Sequence, residues 1–199
     1  MFIQFIQGKC NRPNDLRRLM DRWQAELGPS APGWLGATYG FTEDGTSVAV
    51  VRFESHEKAM ENSDKPEQAQ WFNEVQKCYI GPLEFLDCDD VTTLLEGGSD
   101  SAGFVQIMRG RVTDEGRLKS LLEGRHADEL HQARPEIIGA TLAIAGDGQF
   151  VQTIAFTDEE SARRGEQLDM PDEVRETLDA SMADVTFVDL HEPWFSSRA

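Results

Sequence analysis

The chain has 199 residues, enough for one large domain or for two of about 100 residues. Its 19 basic and 36 acidic side chains give a net charge of −17, and 39% of its residues are hydrophobic. That apolar content is typical of a folded globular protein and excludes a disordered one. Because so acidic a surface repels nucleic-acid phosphates and anionic membranes, we expect neither as a partner.

The N-terminus and the cysteines indicate the compartment. The longest purely apolar runs have about four residues, far fewer than the roughly 20 that span a bilayer. The N-terminal segment is predicted to be a strand and not a signal peptide. Cys10, Cys78 and Cys88 make an odd count without C-x-x-C spacing, which disfavours a disulfide framework or a zinc site. We therefore expect a cytoplasmic protein.

An internal repeat is the strongest feature of the sequence. Residues 2–8 (FIQFIQG) resemble residues 104–110 (FVQIMRG) at an offset of 102. Similar matches at offsets of 102 or 103 continue over about 90 residues, which indicates a tandem duplication. We predict a first repeat over 1–95, a small polar linker over 96–102 and a second repeat over 103–199.

Each repeat shows the same order of predicted elements. A first strand is followed by an amphipathic helix, a hairpin of two strands, a second helical region and a last strand. The signals come in pairs, first repeat before second: helix N-caps at Asn11 and Thr113, Asp-Gly hairpin turns at 44–45 and 147–148, second helices after Ser55 and Thr157, and last strands over 83–88 and 184–190.

The order βαββαβ is that of the ferredoxin-like motif, an antiparallel sheet with helices on one face. Both faces of the predicted strands are largely apolar, so we expect the two sheets to pack against each other. The predicted fold class is therefore α+β, with two tandem ferredoxin-like repeats forming one pseudo-dimeric α/β barrel.

This arrangement resembles the dimeric α/β-barrel superfamily, which includes antibiotic-biosynthesis-monooxygenase-type proteins and stress-responsive barrel proteins. In most members two chains pair, so the resemblance implies that one chain supplies both halves here. We accordingly predict a monomer or a weak homodimer.

Strand residues that face away from the helices are expected to line a cavity between the two sheets. We place Phe53 and Phe156 on the helix side. The cavity-lining candidates are then Gln4, Ile6, Val50 and Arg52 from the first repeat and Gln106, Met108 and Thr153 from the second. Such a lining suits a small, largely apolar ligand held by a few polar groups. Alternatively, Gln4 and Gln106 satisfy each other or a buried water.

Positions that differ between the repeats are further candidates. Arg52 aligns with Ala155, and a buried arginine must be paired or bind an anion, so it is a candidate carboxylate or oxyanion clamp. The alternative is an arginine that reaches solvent or a neighbouring carboxylate. Trp71 is either a site residue or part of the core. His191 lies beside Asp189, which would suit an acid–base pair or a simple surface hydrogen bond.

The sequence offers little support for haem binding or for a metal site. Haem-degrading members of the superfamily use an Asn, a Trp and a helix His, and the chain has Asn62 and Trp71 but no histidine further along that helix. Haem binding is therefore only a minor alternative. His126 and His131 are five positions apart, whereas zinc-binding histidines on a helix are four apart, so we predict no metal site and no cofactor.

The sequence contains no G-x-S-x-G, P-loop or G-x-G-x-x-G motif, which leaves hydrolase and nucleotide-binding functions unsupported. We expect a barrel that binds a small, largely apolar molecule and acts on it as a cofactor-independent monooxygenase or isomerase. The alternative is a non-catalytic structural or stress-response barrel with a filled core.

Overall fold

A computed structural model describes residues 1–95, 97–122, 132–169 and 171–198. The chain divides into two compact units. Unit 1 comprises Met1–Asp89 with Trp194–Ala199, and unit 2 comprises Asp90–Pro193. None of the described helices is both long enough and apolar enough to cross a membrane.

Unit 1 contains an antiparallel five-stranded sheet and three α-helices. Its strands are in the order β10-β2-β3-β1-β4. In chain order the elements are β1 (Phe2–Lys9), α1 (Pro13–Glu26), a 3₁₀ turn (Gly28–Ser30), β2 (Trp34–Phe41), β3 (Thr46–Phe53), α2 (His56–Ser63), α3 (Pro66–Gln76), β4 (Glu84–Cys88) and β10 (Trp194–Ser197).

Unit 2 repeats this plan, with strands in the order β5-β7-β8-β6-β9. The described elements are β5 (Asp90–Leu94), β6 (Phe104–Val112), α4 (Glu115–Leu122), β7 (Ile137–Ile144), β8 (Gln149–Phe156), α5 (Glu159–Glu166), α6 (Asp172–Ser181) and β9 (Met182–Leu190). The predicted α+β class and the two ferredoxin-like repeats are thus confirmed.

Among the predicted helix starts, only that after Ser55 has the expected cap. Ser55 caps α2 by accepting a hydrogen bond from Lys58 N, whereas α5 is capped by Asp158, which accepts from Ser161 N, and not by Thr157. The predicted cap at Asn11 is wrong, because α1 begins at Pro13 and its N-cap residue, Arg12, makes no capping hydrogen bond with its side chain. The predicted cap at Thr113 is also wrong, because the next residue, Asp114, caps α4 by accepting a hydrogen bond from Arg117 N at 3.0 Å.

Each sheet has a fifth strand that the repeat pattern does not predict. β10 pairs with β2, and β5 pairs with β7, so the segment that follows each repeat completes the sheet of the other unit. Both strands are only four or five residues long, and each follows the preceding strand after no more than three residues. In sequence they therefore look like extensions of that strand, and only the pairing of their backbone groups separates them.

The register of β1 and β3 decides which side chains face the helices. Phe2 lies opposite Phe53, Gln4 opposite Val51 and Ile6 opposite Ala49. Because directly opposed residues share one face of a sheet, and Phe2 and Phe53 pack on Ala59 of α2, this set faces the helices. The prediction that Gln4 and Ile6 share a face with Val50 and Arg52 is wrong. Those two residues oppose Phe5 and Ile3, on the other face.

The same correction applies to unit 2. Phe104 opposes Phe156, and both pack on Ala162 of α5, so Gln106 and Met108 also face the helices. Thr153 opposes Ile107 on the face away from the helices, where it was predicted. In both units this second face is buried as well, with Phe5 and Ile107 fully inaccessible.

Candidate functional site

A cavity of about 360 Å³ lies in unit 1, between the helix-facing side of the sheet and helices α1 to α3. Its walls are mostly apolar and aromatic. The aromatic lining residues are Trp23, Trp34, Tyr39, Phe53, Trp71, Phe72, Tyr79 and Phe85, and the other polar ones are Gln4, Asn62, Ser63 and Gln68. Among the described lining residues there is no Asp, Glu, Lys, Arg or His. A cavity without charged groups thus lies inside a protein of net charge −17.

Three tryptophans form one corner of the cavity. Trp23 meets Trp34 edge to face with ring centroids 4.9 Å apart, and its centroid lies 6.1 Å from that of Trp71. The indole N–H of Trp23 donates to Gln68 Oε1 at 2.6 Å, and that of Trp71 donates to the Leu19 carbonyl at 2.8 Å. These bonds fix two rings, which leaves their faces as a rigid apolar wall.

Asn62 supplies the polar group that a ligand could use. It lies in the last turn of α2 and is only 5% exposed. No described residue forms a hydrogen bond with its side-chain amide, whereas Gln4 donates to Asp87 and Ser63 donates to the Ala59 carbonyl. An amide that lines a cavity without a protein partner is free to bind water or a ligand there. The indole N–H of Trp34, in the same lining, is buried without a hydrogen-bond partner among the described residues.

Two tyrosines in the lining are neutral phenols. Burial raises the pKa of Tyr39 to about 12, and burial likewise raises the pKa of Tyr79 to about 12. The Tyr79 hydroxyl donates to Ser47 Oγ at 3.1 Å, and Tyr39 stacks on Trp194 at 5.5 Å. Neither tyrosine can act as a base near neutral pH, so the described lining offers hydrogen bonds and apolar surface but no proton acceptor of ordinary basicity.

The aligned positions in unit 2 are filled differently. Asn62 corresponds to Gly165 and Trp71 to Val174. A Cβ atom at Gly165 would collide with the side chains of Arg134 and Glu136, so those two residues occupy the space. Unit 2 therefore lacks the amide and the indole that line the cavity of unit 1.

A charged network surrounds Gln106 in unit 2. Gln106 donates to Asp189 at 3.0 Å and to Glu166 at 3.1 Å, and Arg163 pairs with both carboxylates. The alternative that Gln4 and Gln106 bond to each other is wrong, because each donates to the last strand of its own sheet. Asp189, a secondary site candidate, is thus a member of an ion-pair network.

His191 pairs with a different carboxylate from the one predicted. Its Nδ1 atom lies 2.7 Å from Glu159 Oε2, at the start of α5, and Asp189 pairs instead with Arg163. In unit 1, His56 Nδ1 lies 3.4 Å from Asp89. Neither histidine lines the cavity.

Arg52 and its neighbours lie away from the cavity. Arg52 Nη1 donates to Thr38 Oγ1 at 3.1 Å on the face opposite the helices. Val50 and Thr153, which are buried on the corresponding faces of their sheets, are likewise not cavity residues of unit 1. A ligand contact by these three residues stays a prediction.

The residues present do not fit haem. No described histidine lines the cavity, and the raised pKa values of Tyr39 and Tyr79 disfavour a phenolate ligand. His126 and His131 lie outside the described residues. Among the residues that are described, no three His, Cys, Asp or Glu side chains are placed to hold a metal ion.

Sequence reasoning missed most of the cavity wall. Trp23, Trp34, Tyr39 and Gln68 were not predicted, and Asn62 was named only through the resemblance to haem-degrading proteins. The candidates Gln4, Ile6 and Trp71 do line this cavity. The available signal was the loss of aromatic residues in the second repeat, where Trp34 aligns with Ile137 and Tyr39 with Leu142.

No protein-family model matches the chain, and no curated protein matches it in sequence. Solved structures do match. A candidate monooxygenase from Lactobacillus acidophilus has a TM-score of 0.74 at 12% identity, covering 98% of this chain and 96% of that one. A second, from Fusobacterium nucleatum, has a TM-score of 0.72 at 10% identity, covering 100% and 94%. An anthrone oxidase-like protein has a TM-score of 0.62 at 10% identity, covering 98% and 92%.

These matches define the class of fold. The solved structures include ferredoxin-fold proteins related to antibiotic biosynthesis monooxygenases. The present chain has that fold in tandem form, and the likeness extends over both repeats because nearly the whole chain is covered. At 10 to 12% identity the likeness establishes the fold alone.

Proposed function

We propose that the cavity of unit 1 binds a small, neutral, aromatic molecule and that the protein oxidises this molecule as a cofactor-independent monooxygenase. The observation that carries the proposal is the Asn62 amide, which lines a cavity of aromatic rings and makes no hydrogen bond to the described residues. The folds of the two candidate monooxygenases support the reaction class.

The lining favours a neutral ligand. An ionised group would meet no opposite charge from the described lining residues, and an uncompensated buried charge is strongly disfavoured. The volume of about 360 Å³ lies at the lower end of the range of small-molecule sites. The fixed indole rings of Trp23 and Trp71 offer stacking surfaces to a flat ring system.

Anthrone, a tricyclic aromatic ketone, is a suitable probe, and the anthrone oxidase-like protein of the same fold supports the choice. Its oxidation needs no cofactor: C₁₄H₁₀O + O₂ gives anthraquinone, C₁₄H₈O₂, and H₂O. One oxygen atom replaces the two hydrogens of the ring CH₂ group, and the other leaves with them as water. The substrate therefore supplies all the electrons.

Asn62 would orient the substrate in this reaction. Its amide can donate to the ketone oxygen or accept from the hydroxyl of the electron-rich enol tautomer, which is the form that reacts with oxygen. The described lining has no base of ordinary strength. The substrate must therefore form its enol readily, without a protein base to remove its proton. The aromatic walls exclude water from the reacting carbon.

The test is titration of the full chain with anthrone, followed by absorption spectroscopy of anthraquinone formation. We expect one anthrone per chain, because Gly165 and Val174 replace the site residues in unit 2. Asn62→Ala should weaken binding by about tenfold, the value of one buried hydrogen bond. The matched control is Asn73→Ala, an exposed asparagine of α3 outside the cavity, which should bind normally.

Two results would count against the proposal. Saturable binding without oxidation above the rate in buffer would favour a binding protein over an enzyme. Equal losses in the two variants, or no saturable binding together with a bare mass in native mass spectrometry, would overturn the site itself and favour the structural alternative.

A further inference from the structure

Two cysteines of unit 1 lie next to each other although 67 residues separate them in the chain. Cys10 follows β1, and Cys78 follows α3. Cys10 lies directly opposite Tyr79 in an antiparallel bridge. Backbone hydrogen bonds from Asn11 N to the Cys78 carbonyl (3.0 Å) and from Ile80 N to the Lys9 carbonyl (2.8 Å) hold this bridge.

This pairing sets the separation of the two Cα atoms. Residues opposed across an antiparallel pair have Cα atoms about 4.5–5.5 Å apart. Cys78 is one residue, about 3.4 Å, along the chain from the opposed Tyr79, so its Cα atom is roughly 5.6–6.5 Å from that of Cys10. Disulfides need a Cα separation of about 4.4–6.8 Å. Both side chains also pack in one apolar cluster with Leu16 and Val75, on the helix side of the sheet.

Cys88 is placed differently. It lies opposite Ile3, seven positions along β1 from Cys10, which is roughly 23 Å at about 3.3 Å per residue. None of the three cysteines, all within the described residues, forms a disulfide.

We propose that Cys10 and Cys78 are an oxidisable thiol pair that a peroxide converts into an intramolecular disulfide. In the first step the Cys10 thiolate attacks H₂O₂, which yields a sulfenic acid and hydroxide. In the second step the Cys78 sulfur attacks that sulfenic acid, the S–S bond forms and water leaves. Overall, two thiols and H₂O₂ give one disulfide and two waters.

Exposure assigns the two roles. Cys10 is partly exposed, whereas Cys78 is 2% exposed, so peroxide meets Cys10 first and Cys78 resolves the intermediate. Burial raises the pKa of both thiols. The thiolate is therefore scarce near neutral pH, and oxidation should become faster as the pH rises.

The cross-link would fasten the end of β1 to the end of α3. Val75 and Tyr79, on either side of this point, line the cavity of unit 1, so the oxidised form would have a more rigid cavity wall. The thiol pair itself does not depend on the proposed function, because its chemistry involves no ligand of the cavity.

The experiment treats the full chain with H₂O₂ at pH 7 and pH 9 and follows its intact mass. We expect a loss of two hydrogen atoms per chain, a fall from three to one alkylatable thiols after denaturation, and a linked peptide pair containing Cys10 and Cys78. The reaction should be faster at pH 9. Cys88→Ser is the matched control and should form the same cross-link, whereas Cys10→Ser should form none.

Other products would overturn the proposal. These are addition of oxygen to Cys10 while Cys78 stays alkylatable, a disulfide that contains Cys88, a cross-link between two chains, or a two-hydrogen loss that persists in Cys10→Ser. Because Cys10 is partly exposed, its replacement by serine keeps the core intact. Circular dichroism of that variant checks that it is folded.

Discussion

One aligned position shows how the two repeats differ at the level of side chains. Asn62 in the first repeat presents a buried amide to the cavity, whereas Gly165 in the second makes room for Arg134 and Glu136. An amide with unused hydrogen-bonding capacity is unfavourable in a protein core unless something binds it. Its presence in one repeat, beside a neutral cavity, is therefore the residue-level basis of the proposed site.

At a second pair of aligned positions, the histidine and the carboxylate have changed places between the repeats. His56 at the start of α2 faces Asp89 after β4, and the aligned Glu159 at the start of α5 faces His191 after β9. In both repeats the imidazole lies against the first phenylalanine of the first strand, at 4.8 Å in unit 1 and 5.8 Å in unit 2. A histidine–carboxylate pair thus joins the same two elements with the partners reversed, which indicates a structural role.

We predict a small coupling energy between Glu159 and His191. About a third or more of each side chain is exposed, so solvent screens their interaction, and a double-alanine cycle should show only a small coupling in the free energy of unfolding. The cycle can be measured by urea denaturation. Glu160 with His191 is the control pair, since Glu160 pairs with Arg164 and should show no coupling. A larger coupling in the control would contradict the assignment.

At the level of elements, two aligned glycines mark where the fifth strand of each sheet crosses closely. A Cβ atom at Gly36 would lie 2.9 Å from the Ser196 carbonyl oxygen of β10. One at Gly139 would collide with the carbonyl oxygen of Gly97, which follows β5. At Gly139 only backbone atoms occupy the space, whereas a Cβ atom at Gly36 would also meet the Arg52 side chain at 2.8 Å.

We predict that Gly139→Ala destabilises the protein by about 2 kcal/mol, because the backbone at Gly97 must shift to admit the methyl group. Gly116→Ala in α4 is the control. Its Cβ would have Asp114 Oδ1 as its nearest contact, at 3.8 Å, and alanine is the better helix former, so stability should rise by at most about 1 kcal/mol. Thermal unfolding of both variants tests this, and equal stabilities would refute the close-approach argument.

The strand β10 closes one side of the unit 1 core. Trp194 stacks on Tyr39 and packs on Phe41, while Ser196 Oγ donates to Gln24 of α1 at 3.0 Å. Arg17 of α1 lies over the Trp194 ring at 4.9 Å. This four-residue strand thus covers a cavity residue, Tyr39, from the edge of the sheet.

Removal of residues 194–199 should therefore destabilise unit 1. Trp194→Ala alone should cost about 3 kcal/mol, as for other buried aromatic truncations, and the deletion at least as much. Deletion of residues 198–199 only, which leaves β10 intact, is the control and should change the Tm by little. If the two deletions have the same Tm, β10 does not support unit 1.

At the level of the whole molecule, carboxylates hold the hairpin turn in both repeats and a helix start in the second. Hydrogen bonds from Lys9, Thr42 and Thr46 hold the pKa of Asp44 well below its usual range. Hydrogen bonds from Gln149 lower the pKa of Asp147 in the aligned turn, and those from Ser161 lower the pKa of Asp158 at the α5 cap. These groups stabilise the folded state in their ionised form.

We predict that the protein loses stability at acid pH, over a range set by these lowered pKa values. Because the folded-state pKa values lie below the unfolded ones, their stabilisation is complete above the ordinary aspartate pKa of 3.8 and is lost as the pH falls through the lowered values. The free energy of unfolding should therefore be steady from pH 7 to about pH 5 and decline below about pH 4. Asp44→Asn should show a shallower decline on acid titration, and an unchanged slope would contradict the assignment.

Much of the fold could be predicted from the sequence, because it rests on patterns that two copies record independently. The offset of 102 to 103 residues reveals the duplication, and the Asp-Gly turns and the cap at Ser55 are local signals that each set one element. In the second repeat the cap is Asp158, one residue after the predicted Thr157. The face assignment of Gln4 and Ile6 failed for a physical reason. A strand with apolar residues on both sides does not reveal which side the helices cover, and a one-residue choice moves every side chain to the other face.

The net charge of −17 and the repeat were decided by the sequence alone, and so was the order of elements in each ferredoxin-like unit. Only the tertiary structure decided the rest. It placed β5 and β10 in the sheets, brought Cys10 beside Cys78, and gathered Asn62 with the tryptophans of α1, β2 and α3 around one neutral cavity. Local patterns follow from the periodicity of one element, whereas a site depends on strand register and on which helices cover which face.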